Sequence, residues 1–432
     1  MNLGTEKSLQ LWGGVECSIN RVRDRFFNQL ERNGHWQRPD DLERFRRLGL
    51  STLRFPLLWE SVAREASGDL DWSWPDDRLA EARELGIRPI AGLLHHGSGP
   101  LGTDLLDPEF PRKFAGYAGE VARRYPWIDA YTPINEPLTT ARFSALYGHW
   151  YPHQRDDQSF ARALLNQCRA TVLAMRAIRE VNPTAELIQT DDLGKTYSTR
   201  ALSYQADFEN DRRWITWDLL SGKVDRSHPL RSYFKWAGIP TAELDIFLEE
   251  PCPPDILGLN HYVTSERFLD ENISAYPPES HGRNGRVSYA DIAAVRSTAV
   301  EVAGPEKLLI EAWERYHIPI AITEAHLGCT VDEQLRWFMD IWNAAGAARA
   351  NGADVRAVTV WALLGSFDWD NLVTRDNGHY EPGVFDLRGG GPRPTLLAEM
   401  VRQLAAAGAY DHPLLATAGW WHRDRCGQRH AA

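Results

Sequence analysis

The chain has 432 residues, 43% of them hydrophobic and 25% charged, enough apolar material for a large buried core. Its formal charge of −11, with no basic block to offset it, argues against a nucleic-acid or anionic-membrane surface. Five scattered cysteines (Cys17, Cys168, Cys252, Cys329, Cys426) without C-x-x-C spacing fit free thiols in a reducing compartment, and the absence of an apolar leader or a membrane-length run sets the expectation of a cytoplasmic protein.

Eight short apolar runs read as buried strands: 11–15, 52–55, 88–94, 130–135, 186–190, 255–259, 318–323 and 355–361. Helix-period stretches lie between them. Residues 111–125 put Phe114, Ala118, Val121, Ala122 and Tyr125 on one face, with Pro111 at the first helical position. Residues 159–181 repeat the pattern with Leu164, Leu165, Cys168, Val172, Met175 and Ile178. Residues 332–350 do so with Leu335, Phe338, Met339 and Trp342, Asp332 serving as the N-cap. Strands and helices in strict alternation indicate an α/β fold with a parallel sheet, and the count suggests closure into a single (β/α)8 TIM barrel. The barrel is assigned to residues 1–410 and a C-terminal tail to 411–432. An open doubly wound sheet is the alternative. It requires a Gly-rich phosphate turn after the first strand, where this chain has Val15-Glu16-Cys17-Ser18. Two longer connections, 191–254 and 265–304, are the long loops after strands 5 and 6, the kind that shape a barrel's substrate mouth.

Several strands end in polar residues that packing does not need. Arg54 lies on the second strand, His95-His96 end the third, Asn135-Glu136 the fourth and Asn260-His261-Tyr262 the sixth; Glu324 and His326 follow the seventh, and Trp361 ends the eighth. A carboxylate at the end of a buried strand projects beyond the core, toward the face where barrel sites are built. Glu136 and Glu324, in equivalent positions, suggest paired carboxylates acting on one substrate. The plain alternative is two unrelated glutamates that pair with arginines. A metal-dependent hydrolase using His95, His96, His261 and His326 is also conceivable. Adjacent His95 and His96 on a strand would point to opposite faces, so no metal is assigned. The 17 tryptophans are mostly core material, though their flat faces can also pack against sugars.

These pieces together resemble glycoside hydrolase family 1, the β-glucosidase-type retaining enzymes on (β/α)8 barrels. The matching motifs are Leu11-Trp12-Gly13-Gly14, Leu53-Arg54-Phe55 with Trp59, Leu93-Leu94-His95, Ile134-Asn135-Glu136-Pro137, Gly258-Leu259-Asn260-His261-Tyr262, Ile322-Thr323-Glu324, and Val360-Trp361 through Asp368-Trp369. The resemblance implies that Glu324 is the nucleophile and Glu136 the acid and then base in cleavage of a β-glycosidic bond. It implies that Arg54 keeps Glu324 ionised, Tyr262 orients it, and Asn260 supports the pair. Asn135 would bond the sugar 2-hydroxyl, His95 a neighbouring hydroxyl, and Trp361 would form a wall under the ring. No metal or organic cofactor is implied, and the expected partner is a carbohydrate substrate. Departures cluster where the family reads the outer hydroxyls. Glu16 stands near the place of a glutamine, His96 replaces a tryptophan, and Ala325-His326 follow the nucleophile. Gly365-Ser366 precede Asp368, which is a methylene shorter than the family's glutamate, and Trp369 follows it. Glu16, His326, Asp368 and Trp369 are accordingly expected to bind substrate, with a glycon that need not be glucose. A transglycosylase shares these residues, and a non-catalytic sugar-binding barrel is the reading from another class.

Overall fold

The structure, a computed structural model, describes residues 8–63 and 68–422. Eight parallel strands close a barrel: β1 (Gln10–Gly14), β2 (Thr52–Pro56), β3 (Arg88–His95), β4 (Ala130–Asn135), β5 (Glu186–Asp192), β6 (Ile256–Asn260), β7 (Ile320–Ala325) and β8 (Val355–Val360). Each strand falls on an expected run, and β1 closes the ring by pairing with both β8 and β2. β7 continues two residues past 323, so Glu324, expected at the strand's end, is its penultimate residue.

Inside the ring, Trp12, Ile90, Ala130, Ile188, Ile256, Ala321 and Ala357 form a cluster of their own, separate from the larger core between strands and helices. Seven strands contribute one residue each, so the lower half of the barrel is a packed apolar plug. Above the plug the buried residues change character to Arg54, Thr132, Asn135, Gln189, Thr190, Asn260 and Thr323. The site is therefore built on a dry, rigid floor.

β4 carries Pro133, which has no N–H for a ladder. The β4–β5 pairing stops after Tyr131↔Leu187. Side chains bridge the gap instead: Thr132 Oγ1 donates to Ile188 O at 2.9 Å and Gln189 Nε2 to Ile134 O at 2.9 Å. The opened seam lets Thr190 reach Asn135, as described below.

The expected helices are present with shifted starts. Asp156 caps Asp157–Val181, its side chain accepting from Ser159 N–H at 2.8 Å. For Val331–Ala350 the N-cap is Thr330, and Asp332 lies in the first turn, where its charge complements the helix dipole. The connection after β5 folds into the helices Ser203–Arg212, Ile215–Leu220, Arg231–Trp236 and Thr241–Glu249. It also adds Thr196–Ser198 to a four-stranded sheet with Arg267–Asp270, Ser288–Ala293 and His281–Arg283 from the connection after β6. Long excursions also follow β1, as the hairpin Ile19–Val22 and Arg25–Asn28, and β8, as the pairs Ser366–Phe367 with Tyr380–Glu381 and Phe385–Asp386 with Arg393–Pro394. In the expected tail, Trp421 is 3% exposed and donates its indole N–H to Asp340 at 2.8 Å, docking onto Val331–Ala350. Cys17, Cys168, Cys252 and Cys329 are free thiols, while Cys426 lies outside the described residues. Among the described residues no helix is long and apolar enough to cross a membrane.

Candidate active site

Glu136 and Glu324 both sit at the C-terminal end of the barrel, 4% and 2% exposed. Glu136 turns the chain from β4 into the short helix Pro137–Ala141 with left-handed backbone, φ 48° and ψ 65°. Pro137, at the first turn, has no N–H to leave unsatisfied there.

A continuous relay of buried hydrogen bonds joins the two carboxylates. Glu136 Oε1 accepts from Asn260 Nδ2 at 2.6 Å. The same Asn260 Nδ2 reaches Asn135 Oδ1 at 3.5 Å, and Thr323 Oγ1 fixes its other end by donating to Asn260 Oδ1 at 2.7 Å. Asn135 Oδ1 also accepts from Thr190 Oγ1 at 2.8 Å and from Arg54 at 2.6 Å. Arg54 then reaches Glu324 Oε1 at 2.6 Å and the Thr323 carbonyl at 3.0 Å. The Tyr262 hydroxyl donates to Glu324 Oε2. Arg54, Asn135, Asn260, Tyr262 and the two glutamates are thus brought together as the sequence placed them.

The relay makes the two acids unequal. Burial pushes the Glu136 carboxyl well above the usual range, reinforced by the charges of Glu324, Asp191 and Asp192, with only the Asn260 bond opposing. Burial also raises Glu324, but the Arg54 cation, the Tyr262 hydroxyl and the Arg54 hydrogen bond pull it back. Both carboxyls are thus raised, Glu136 well above its usual range, and only Glu324 has a cation beside it, so Glu136 is the better placed of the two to hold a proton.

Beside the pair, His95 stacks on Trp361 with centroids 5.6 Å apart and planes at 5°, and Asn135 Nδ2 contacts His95 Nε2 at 3.2 Å. Burial holds His95 well below its usual pKa, and the neighbouring His96 and Arg54 lower it further. Trp361 is 4% exposed; the Arg54 guanidinium lies 4.8 Å from its ring, and its indole N–H reaches Glu16 Oε2 at 3.2 Å. The other Glu16 oxygen accepts from the Ser18 N–H and O–H at 2.9 and 2.6 Å. Glu16 thus lies behind Trp361 with both oxygens occupied and props it.

His95 and His96 do not point to opposite faces. Left-handed backbone at His96, φ 56°, ends the strand alternation and brings the two rings to 4.8 Å. His96 Nε2 is 3.8 Å from Glu136 Oε2, and its Nδ1 meets Thr140 Oγ1 at 3.0 Å. Burial and Arg54 push its pKa down to about 3, so a neutral ring faces Glu136. His261 instead meets the Leu193 carbonyl at 2.9 Å, and His326 pairs with Glu381 at 3.3 Å. Among the described residues no three His, Cys, Asp or Glu side chains converge as metal ligands.

Asp368 is engaged by groups of its own loop and by Arg32. Its side chain is fully buried in the loop after β8, where it pairs with Arg32 at 2.6 Å and accepts the N–H groups of Asn377 and His379 at 3.2 and 2.9 Å. It is a loop clamp. Trp369 does face the mouth, its ring 5.5 Å from that of His96, and its indole nitrogen is buried without a partner. In the adjacent loop Asn20 donates to the Val373 carbonyl at 3.0 Å and leaves Oδ1 buried and unpartnered.

The sequence reading passed over Asn20, Thr190 and Asp191. Asp191 is completely buried and accepts from Leu138 N–H at 3.0 Å and Thr216 Oγ1 at 2.6 Å, which anchors the helix that starts at Glu136. Burial raises its pKa to about 7 against those bonds. The signal was present: Asp191-Asp192 end β5 as Glu136 ends β4, and the strand-end rule applies equally to both.

A family model described as glycosyl hydrolase family 1 matches residues 29–380. β-Glucosidase A of Thermotoga maritima is 23% identical over 364 residues, 78% of each chain. A bifunctional β-D-glucosidase/β-D-fucosidase of Bifidobacterium breve is 24% identical over 386 residues, 81% of each chain. Among solved structures, the T. maritima β-glucosidase in complex with cyclophellitol superposes with a TM-score of 0.73 at 18% identity, covering 94% of this chain and 100% of that one.

Proposed function

Since this chain belongs to glycosyl hydrolase family 1, we propose that it cleaves a β-glycosidic bond in a small glycoside or oligosaccharide by retaining double displacement. Glu324 attacks the anomeric carbon and forms a glycosyl-enzyme. Glu136 first protonates the leaving oxygen and then takes a proton from the water that releases the sugar. The observation that carries this reading is the relay Glu136–Asn260–Asn135–Arg54–Glu324, which joins the two acids and sets a cation beside Glu324 but only a neutral amide beside Glu136. Asn135 is held from both sides and presents its Nδ2 beside neutral His95, a pair suited to neighbouring hydroxyls of the glycon. Asn20 Oδ1 and Trp369 Nε1 supply an acceptor and a donor for further hydroxyls. With Asp368 withdrawn into its loop and His96 beside Glu136, the glycon preference is set by a different group of contacts from the one the motif order implies. The four free thiols support a reducing, cytoplasmic setting.

The test is a panel of aryl β-glycosides (glucoside, galactoside, fucoside, mannoside, xyloside) turned over by the intact protein, with the first-formed anomer read by NMR. Retained configuration is expected, and Glu324→Ala should fold normally and transfer no glycosyl group. Turnover surviving in Glu324→Ala, or an inverted product, would end the assignment.

A further inference from the structure

Two helices of the connection after β5 pair faces of matching period away from the barrel mouth. Ser203–Arg212 presents Tyr204, Asp207, Phe208 and Asp211, at spacings of three, four and seven residues, and Arg231–Trp236 presents Tyr233 and Trp236 against them. Between them lies a shallow groove open to solvent. The Phe208 and Tyr233 rings meet at 5.1 Å, and those of Tyr233 and Trp236 at 5.9 Å, so the floor is a continuous aromatic strip. Trp236 is 71% exposed and Tyr204 39%, in a protein where tryptophans are otherwise packed away. Neither Asp207 nor Asp211 has an ion pair among the described residues. Of the side chains near Asp211, both His228 and Arg315 are held by buried Asp218, at 3.2 and 2.6 Å.

We propose that this cleft is a second carbohydrate-binding site, separate from the barrel mouth, which takes a neutral β-linked oligosaccharide. The lining selects this occupant. Aromatic faces accept the C–H side of a pyranose ring, and free carboxylates accept its hydroxyl protons, so a polyhydroxylated ligand satisfies both at once. The cleft branches from the connection that leaves β5: Asn210 of the first helix binds the backbone of Thr196 at 2.9 and 2.8 Å, at the edge of the sheet that rims the mouth. The inference takes the family's carbohydrate chemistry as its footing but does not depend on which bond is cleaved.

The test is titration calorimetry of the Glu324→Ala protein with cellotetraose, laminaritetraose and xylotetraose, repeated in Glu324→Ala/Trp236→Ala and Glu324→Ala/Asp207→Ala/Asp211→Ala. One binding class is expected to weaken at least about tenfold in both multiple variants, the loss expected for removal of a stacked aromatic face or of paired acceptors. Trp236→Ala alone should leave kcat/KM for an aryl glycoside unchanged, since Trp236 contacts nothing at the mouth. The proposal is overturned if no tetrasaccharide binds, or if every binding class is indifferent to Trp236. It is also overturned if Trp236→Ala instead abolishes a dimer seen by sedimentation, which would make the occupant a second copy. A protein that hydrolyses no glycoside yet binds tetrasaccharide through Trp236 would refute the proposed reaction and leave the cleft standing.

Discussion

Arg54→Met removes the cation that keeps Glu324 ionised. In the native protein the guanidinium lies 2.6 Å from Glu324 Oε1, both groups are buried, and burial, reinforced by the charge of Glu16, pushes the carboxyl upward. Opposite charges about 4 Å apart at an effective dielectric near 20 attract by about 4 kcal/mol, or about three pK units at most. The sign follows from which form the cation favours. Arg54 stabilises the carboxylate, so its loss raises the Glu324 pKa, and the reactive anion is lost at higher pH than before. The acid limb of kcat/KM should move upward by roughly 2–3 units, so the deficit reaches roughly 100- to 1,000-fold at pH values below the wild-type limb and shrinks as pH rises. The assay is a pH profile of kcat/KM on an aryl β-glycoside for wild type, Arg54→Met and Arg54→Lys, with thermal melts alongside. Lysine should restore much of the acid limb. It cannot reproduce the fork that also holds Asn135, so the plateau should stay below wild type. A uniform loss across pH, with the acid limb unmoved, would refute the reasoning and leave Arg54 as a substrate contact.

Three further outcomes follow from the same contacts. Asn260→Ala deletes the hydrogen bond that opposes proton retention on Glu136, so the Glu136 pKa rises and the alkaline limb of kcat/KM moves up by about one unit; an alkaline limb that moves down would contradict the assignment. Glu136 binds its proton more tightly folded than unfolded, so its contribution to stability falls as pH rises from about 4.5 to its folded pKa, by about 1.4 kcal/mol per pH unit. Glu136→Gln abolishes that slope, and the melting temperature of the variant should exceed wild type by more at pH 8 than at pH 5, as read by calorimetric scans. Asp368→Asn breaks a buried pair with Arg32 and should cost about 3 kcal/mol of stability while the ranking of preferred aryl glycosides stays the same; a changed ranking at unchanged stability would return Asp368 to the glycon site.

The barrel was legible because its signals are local. Each strand is a contiguous apolar run, and Glu136 and Glu324 interrupt the pattern where a buried strand must end. What escaped was non-local. Asp368 matched its motif position, yet its fate is decided by Arg32, more than 300 residues earlier, and by two amides that its loop folds back. His96 escaped because the period-2 rule assumes extended backbone, and a single left-handed residue cancels it. Thr190 looked like strand filler, and only the seam opened by Pro133 makes it a partner of Asn135. Asn20 and Trp369 gain meaning from atoms left without partners, which no string of letters displays.

The backbone at Glu136 carries one more consequence. At φ 48° and ψ 65° any residue with a β-carbon sits in a conformation that glycine adopts freely, a difference of order 1 kcal/mol. The fold and the reaction thus want different residues at the same place. Glycine at this place would relieve the backbone, and the carboxylate is held there against that preference. Engineering meets the same conflict from the other side: a search for heat-resistant variants, run without an activity counter-screen, will recover Glu136→Gly and discard the enzyme while improving the protein.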